Sequence, residues 1–166
     1  MEANFFIFPL ASIIPLVVCA IYYNPKVAGN LWMEVSGTSE EKAQSGNMAI
    51  IFGLAYLFSL FIALTMGGIV IHQTAIQSLL VTESGFGEAG SEVQTYFEEF
   101  LKMYGDKDRT FSHGAFHGAF AGILFAWPII GTIALFERKG WKYTAVHTVY
   151  WVISLALMGG VVAAYV

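Results

Sequence analysis

Four stretches of this chain are long, apolar and free of Asp, Glu, Lys and Arg: residues 5–23, 48–81, 112–136 and 143–166. A helix needs about 20 such residues to cross the hydrocarbon core of a bilayer. Inside lipid, every backbone N–H and C=O must be satisfied within the structure, so spans of this length are helices. The pattern predicts an all-α fold, a four-helix transmembrane bundle forming one integral membrane domain over residues 1–166. The second stretch is too long for a simple crossing. As one helix it would reach about 51 Å at 1.5 Å per residue, against a core of about 30 Å. It either tilts strongly or projects its polar end, where His72, Gln73, Thr74, Gln77 and Ser78 lie.

Composition supports the lipid setting. Only 12% of the residues are charged, about half the share of an ordinary soluble domain. The net charge of −4 argues against nucleic acid as a partner. The residues before the first stretch are Met-Glu-Ala-Asn, without the positive charge of a signal peptide. That stretch is therefore expected to be retained, and Pro9 and Pro15 within it to kink it. The single cysteine, Cys19, has no partner for an intramolecular disulfide and reads as a small apolar-site residue.

The connections differ in character. The first begins YYNPKVAGNLWM: Tyr22, Tyr23 and Trp32 are interface aromatics, Asn24-Pro25 marks a turn, and Ser39 is a candidate cap for the second long helix. The second contains SEVQTYFEEFLKMYG. Ser91 and Gln94 fit a capping box. Val93, Tyr96, Phe97, Phe100, Leu101 and Tyr104 fall on one helical face, and Gly105 fits a stop. This predicts an extramembrane amphipathic helix over 91–104, between the second and third spans, with an acidic outer face. Basic faces suit anionic lipid, so an acidic one is expected to lie over the bundle mouth as a lid. Lys26, Lys42, Arg138, Lys139 and Lys142 flank the first and third connections, against Lys102, Lys107 and Arg109 in the second. The positive-inside rule then places the first and third in the cytoplasm and the lid on the outer face of a bacterial inner membrane.

The segment FSHGAFHGAF carries the main chemical question. Residues four apart share a helix face. His113 and His117 form one stripe, and Gly114, Gly118 and Gly122 form another, about 100° away. The glycines admit a second backbone closely, with Gly67, Gly68, Gly159 and Gly160 as counterparts. Packing explains the glycines and leaves the histidines over. By span order, His72 should lie near the same membrane face as His113 and His117, beneath the lid. With Gln73 and Gln77 they make a candidate polar or ligand site, and the three imidazoles could accept a transition metal. The bland alternative is that each hydrogen-bonds a carbonyl or headgroup. Haem would need facing histidines on different helices, for which His72 with His117 is the one pair considered. Glu98 or Glu99 could supply an acid from the lid. His147 should sit near the opposite face, hydrogen-bonding toward the third span, and Trp127-Pro128 should kink that span.

At these residues the chain resembles a family of small bacterial and archaeal membrane proteins, domain of unknown function 1761. The likeness rests on YYNPKVAGNLWM with Gly29 and Trp32, on the His-Gly of SHGAFHGAFAGILFAWPIIGTIALFERKGWKYTAVHTVYWVISLALMGG, and on the late glycine of the last span. The resemblance implies a four-span integral membrane protein and brings no activity or cofactor with it.

The leading functional expectation is a non-enzymatic accessory or scaffolding protein without a cofactor, embedded in lipid and associating through glycine-lined helices as a homo-oligomer or complex subunit. The second is a metal or small-ligand site built on His72, His113 and His117, serving binding, transport or redox work. A transporter protomer ranks third, because four spans alone would have to pair.

Overall fold

The computed structural model describes residues 4–166, and every regular element among them is helical. Two short helices open the chain, α1 (Ile7–Ala11) and α2 (Ile14–Tyr22). Pro15 explains the break between them: it has no N–H for the carbonyl of Ala11, and its ring crowds that carbonyl. The Ser12 hydroxyl, itself buried, donates to Phe8 O at 2.7 Å. Pro9 falls in the first turn of α1, where a missing N–H costs nothing.

Asn24 turns the chain by accepting from Lys26 N. A single wide turn, Pro25–Gly29, then leads into α3 (Asn30–Ser36). Only glycine fits at position 29, because a Cβ there would overlap the Tyr23 carbonyl and lie 2.8 Å from Asn24 C. The segment Pro25–Ser36 bends 59° from Ile7–Tyr22. Lys139 Nζ donates to Ser36 O at 2.8 Å and ties this segment to the third connection.

Ser39 does not cap the long second helix. It accepts from Lys42 N and starts the short α4 (Glu40–Gln44). The long helix α5 (Met48–Val70) is capped by Asn47, which accepts from Ile50 N.

The over-long second stretch is not one helix. It stops at Val70, Ile71 turns extended (φ −107°, ψ 90°), and α6 (Gln73–Leu80) follows as a separate helix. At 1.5 Å per residue α5 is about 34 Å long, close to the hydrocarbon thickness. The amphipathic segment forms α7 (Glu92–Tyr104), packed against α6. Val93, Phe97 and Phe100 are half-buried, whereas Tyr96, Leu101 and Tyr104 stay exposed. Ser91 caps the helix by accepting from Gln94 N. The reciprocal half of the capping box is absent, because Gln94 Oε1 accepts from Gly87 N instead. Gly105 stays right-handed, so the left-handed residue beyond the helix is Asp108 (φ 63°).

The third long helix comprises α8 (Phe111–Ala121), one wide π turn (Gly122–Ala126) and α9 (Trp127–Phe136). The π turn answers Pro128. In a regular helix its ring would press on the carbonyl of Leu124, and the widened turn moves that carbonyl aside. The last helix, α10 (Trp141–Tyr165), is the centre of the fold. It runs along α8 and also contacts α1, α2, α5 and α9. The core joins Phe8, Ala11, Ala63, Met66, Val70, Met158, Val162 and Ala163. Met66, Met158 and Val162 are essentially inaccessible.

Glycines decide how closely these helices approach. A Cβ at Gly114 would overlap Gly159 O, one at Gly118 would overlap Leu155 O, and one at Gly122 would lie 2.8 Å from Val152 Cα. The whole stripe is therefore packed on α10. Of the expected counterparts, Gly159 meets Gly114 and Gly118, while Gly160 accommodates the Phe111 ring. The α5 glycines serve elsewhere: Gly67 faces the Phe8 ring at 3.0 Å, and Gly68 faces open space.

A histidine cluster at the break after the second long helix

Three features of local structure converge on one point. Thr110 accepts from His113 N and sets the start of α8. His113 then lies in the first turn, and His117 follows one turn later on the same face. The break at Ile71 turns the chain so that His72, the first residue past it, meets that face. His72 Nε2 and His113 Nε2 are 2.9 Å apart, one donating and the other accepting. Ring centroids stand 5.0 Å apart for His72–His113, 4.9 Å for His72–His117 and 4.5 Å for His113–His117. One nitrogen from each ring can be chosen so that all three lie within 4.8 Å of one another. His72 is exposed, and the other two are half-buried.

Such a triangle is near the size a metal requires. Imidazole nitrogens bind zinc at about 2.0–2.1 Å, so tetrahedral ligands stand roughly 3.3 Å apart. The set offers three neutral donors and leaves at least one coordination position free, as in sites that bind water or a small ligand. Asp108, in a left-handed conformation, stands beside the triangle. It shares with His72, Phe100, Tyr104 and Lys107 an open groove of about 330 Å³. This acid was missed in the sequence, where Glu98 and Glu99 drew attention. Glu98 instead accepts from Gln94 on its own helix. Asp adopts the left-handed conformation more readily than most residues, so an Asp in the turn after Gly105 is the signal that could have found it.

Gln73 lines the same groove as His72, but its amide is engaged elsewhere. Gln73 Nε2 donates to Tyr104 O at 2.7 Å and to Lys107 O at 2.9 Å. It fastens the start of α6 to the end of α7, and its Oε1 is buried without a partner among the described residues. Gln77 lines a separate cavity, together with Gln73.

His147 is held differently from the expectation. It bonds toward the first helical segment rather than the third span: its Nδ1 lies 2.9 Å from Tyr23 Oη. Tyr22 donates to Val146 O and Tyr150 donates to Pro15 O. Three tyrosine hydroxyls thus join α10 to α2. These bonds use the interface aromatics of the Tyr-Tyr-Asn-Pro motif, which explains why that motif and His147 occur in one chain.

Three helices here are long and apolar enough to cross a membrane, or four if the bent pair Ile7–Tyr22 and Pro25–Ser36 forms one span. Those are the dimensions and composition of an all-helical membrane protein. The chain belongs to the family described as protein of unknown function DUF1761, which matches residues 8–163. That is the family its Asn-Pro and His-Gly motifs resemble. No curated protein and no solved structure matches the chain.

Proposed function

We propose that this protein binds a divalent transition metal ion through His72, His113 and His117, at the membrane face where α7 lies. The observation that carries the reading is the convergence of three imidazoles from two separate helical segments within 4.8 Å. Residues four apart on one helix meet by geometry alone; His72 is 41 residues away from His113 and arrives only because α5 breaks. Polar side chains at membrane depth favour a functional role over a decorative one. Three nitrogen donors without a thiolate suit zinc, nickel or copper better than a soft-ligand site. A six-coordinate haem is disfavoured, because the three rings are too close together for a porphyrin to enter between any two.

A scaffolding role is the second reading; Gly114, Gly118, Gly122 and Gly159 pack within the chain, so association with other proteins would use other faces. In our reading the kinked stretch over residues 5–23 makes the first of four spans. The basic first and third connections face the cytoplasm of a bacterial inner membrane, and α7 forms a lid on the outer face. The exposed apolar side of α5, with Phe58 and Phe61 each 60% accessible, faces lipid or a second copy.

The test is metal content. Protein purified in mild detergent without a histidine tag, from metal-supplemented cells, should carry a stoichiometric metal. The His113→Ala/His117→Ala variant should carry none while remaining folded. A metal-free wild-type protein that also fails to take up added zinc, nickel or copper would sink the proposal.

A further inference from the structure

We propose a second site, independent of the histidines: a cavity that takes a long-chain carboxylate, an amphiphile with one apolar tail and a monoanionic head. The cavity measures about 740 Å³, within the roughly 300–1,000 Å³ of small-molecule sites. It lies where the start of α1, the end of α5, α7 and the end of α10 meet. Its lining is of two kinds: Phe5, Phe8, Leu64 and Ile71 are apolar, and Lys102 and Arg109 are basic.

Charge defines the head. Lys102 and Arg109 bring two basic side chains to the lining against the one acidic side chain of Asp106, so the side chains favour an anion. Arg109 is held in place, because its Nε donates to Ala163 O at 2.9 Å. That bond uses one edge of the guanidinium and leaves the terminal nitrogens, whose planar fork matches a carboxylate. Gly68 defines the tail path. It lines the cavity, and a Cβ added there would meet nothing within 4 Å. Its neighbour Gly67 is instead filled by the Phe8 ring. A bare glycine beside open space at membrane depth leaves room that a flexible chain can occupy.

The experiment measures binding of carboxyl-labelled oleate by NMR to the full chain in phosphatidylcholine nanodiscs, against empty nanodiscs. Saturable binding above the empty-disc background is expected. Arg109→Gln should weaken it about tenfold or more, the usual size of a lost charge-assisted hydrogen bond, without changing competition by uncharged oleyl alcohol. Gly68→Leu should weaken oleate and oleyl alcohol alike by filling the tail path. It should fold normally and keep its metal, because the added side chain enters open space. Oleate uptake identical to empty discs, or saturable binding unaffected by Gly68→Leu, would overturn the site. The outcome is independent of metal content, so failure here leaves the histidine reading standing.

Discussion

Replacing Gly118 with leucine is expected to force α8 and α10 apart and to lower stability by about 3 kcal/mol or more, the upper end of the usual overpacking cost. A Cβ at this position overlaps the Leu155 carbonyl and stands 3.0 Å from Ala156 Cα. The obstacle is backbone on a buried helix, which cannot rotate away as a side chain would. In lipid, such close approach is itself a source of helix association, since apolar burial gains little there. The loss should appear in detergent-denaturant unfolding as a lower midpoint, or as failure to accumulate folded protein. Gly68→Leu is the control, being the same substitution facing open space. If Gly118→Leu unfolds at the wild-type midpoint, the contact between α8 and α10 is not as described.

The second large effect concerns the histidines. Adding zinc at about 100 times its dissociation constant should stabilise the folded chain by about 2.7 kcal/mol. Chelation should reverse the gain. His72→Ala should remove most of it, although His113 and His117 remain. The reason is mechanical. His113 and His117 belong to one helix turn, so an ion held by them alone staples only α8 and is held by fewer donors. His72 belongs to the segment beyond the break in α5, and an ion shared with it links α5 and α6 to α8. The unfolding midpoint with and without zinc, for wild type and His72→Ala, is the measurement. An equal zinc response in both would show that the ion does not depend on His72.

Much of this arrangement was legible in the residues, and the failures have physical causes. The order of the apolar stretches places His72 and the FSHGAFHGAF segment at the same membrane face without any coordinates. Spacing by four identifies the glycine stripe as a packing face, and Gly159 as a counterpart follows from small residues meeting small residues. Partner choice is harder. Nothing local distinguishes Gly67, which receives the Phe8 ring, from Gly68, which receives nothing, because that depends on where α1 falls in space. The Tyr23–His147 bond joins residues 124 positions apart, and polar periodicity carries no information at that range. The break at Ile71 was concealed by composition: Ile71 is as apolar as the helix before it, and only excess length hinted that the helix ends there. The cap at Asn47 was overlooked because Ser39 is an equally good capping residue, and a short extra helix lay between them.

The π turn at Gly122–Ala126 has a further consequence for how this span can vary. Gly131 also faces α10, with Thr144 Cγ2 3.7 Å from where its Cβ would be. In a regular helix at about 100° per residue, Gly131, nine residues beyond Gly122, would point about 180° away from it. The wide turn takes up about one residue, which brings Gly131 back by about 100° toward the side that faces α10. Losing a single residue inside a membrane span normally scrambles every contact beyond the gap. Here the segment holds a spare: shortened by one between Gly122 and Ala126, the span becomes a plain α-helix with both of its faces still aligned.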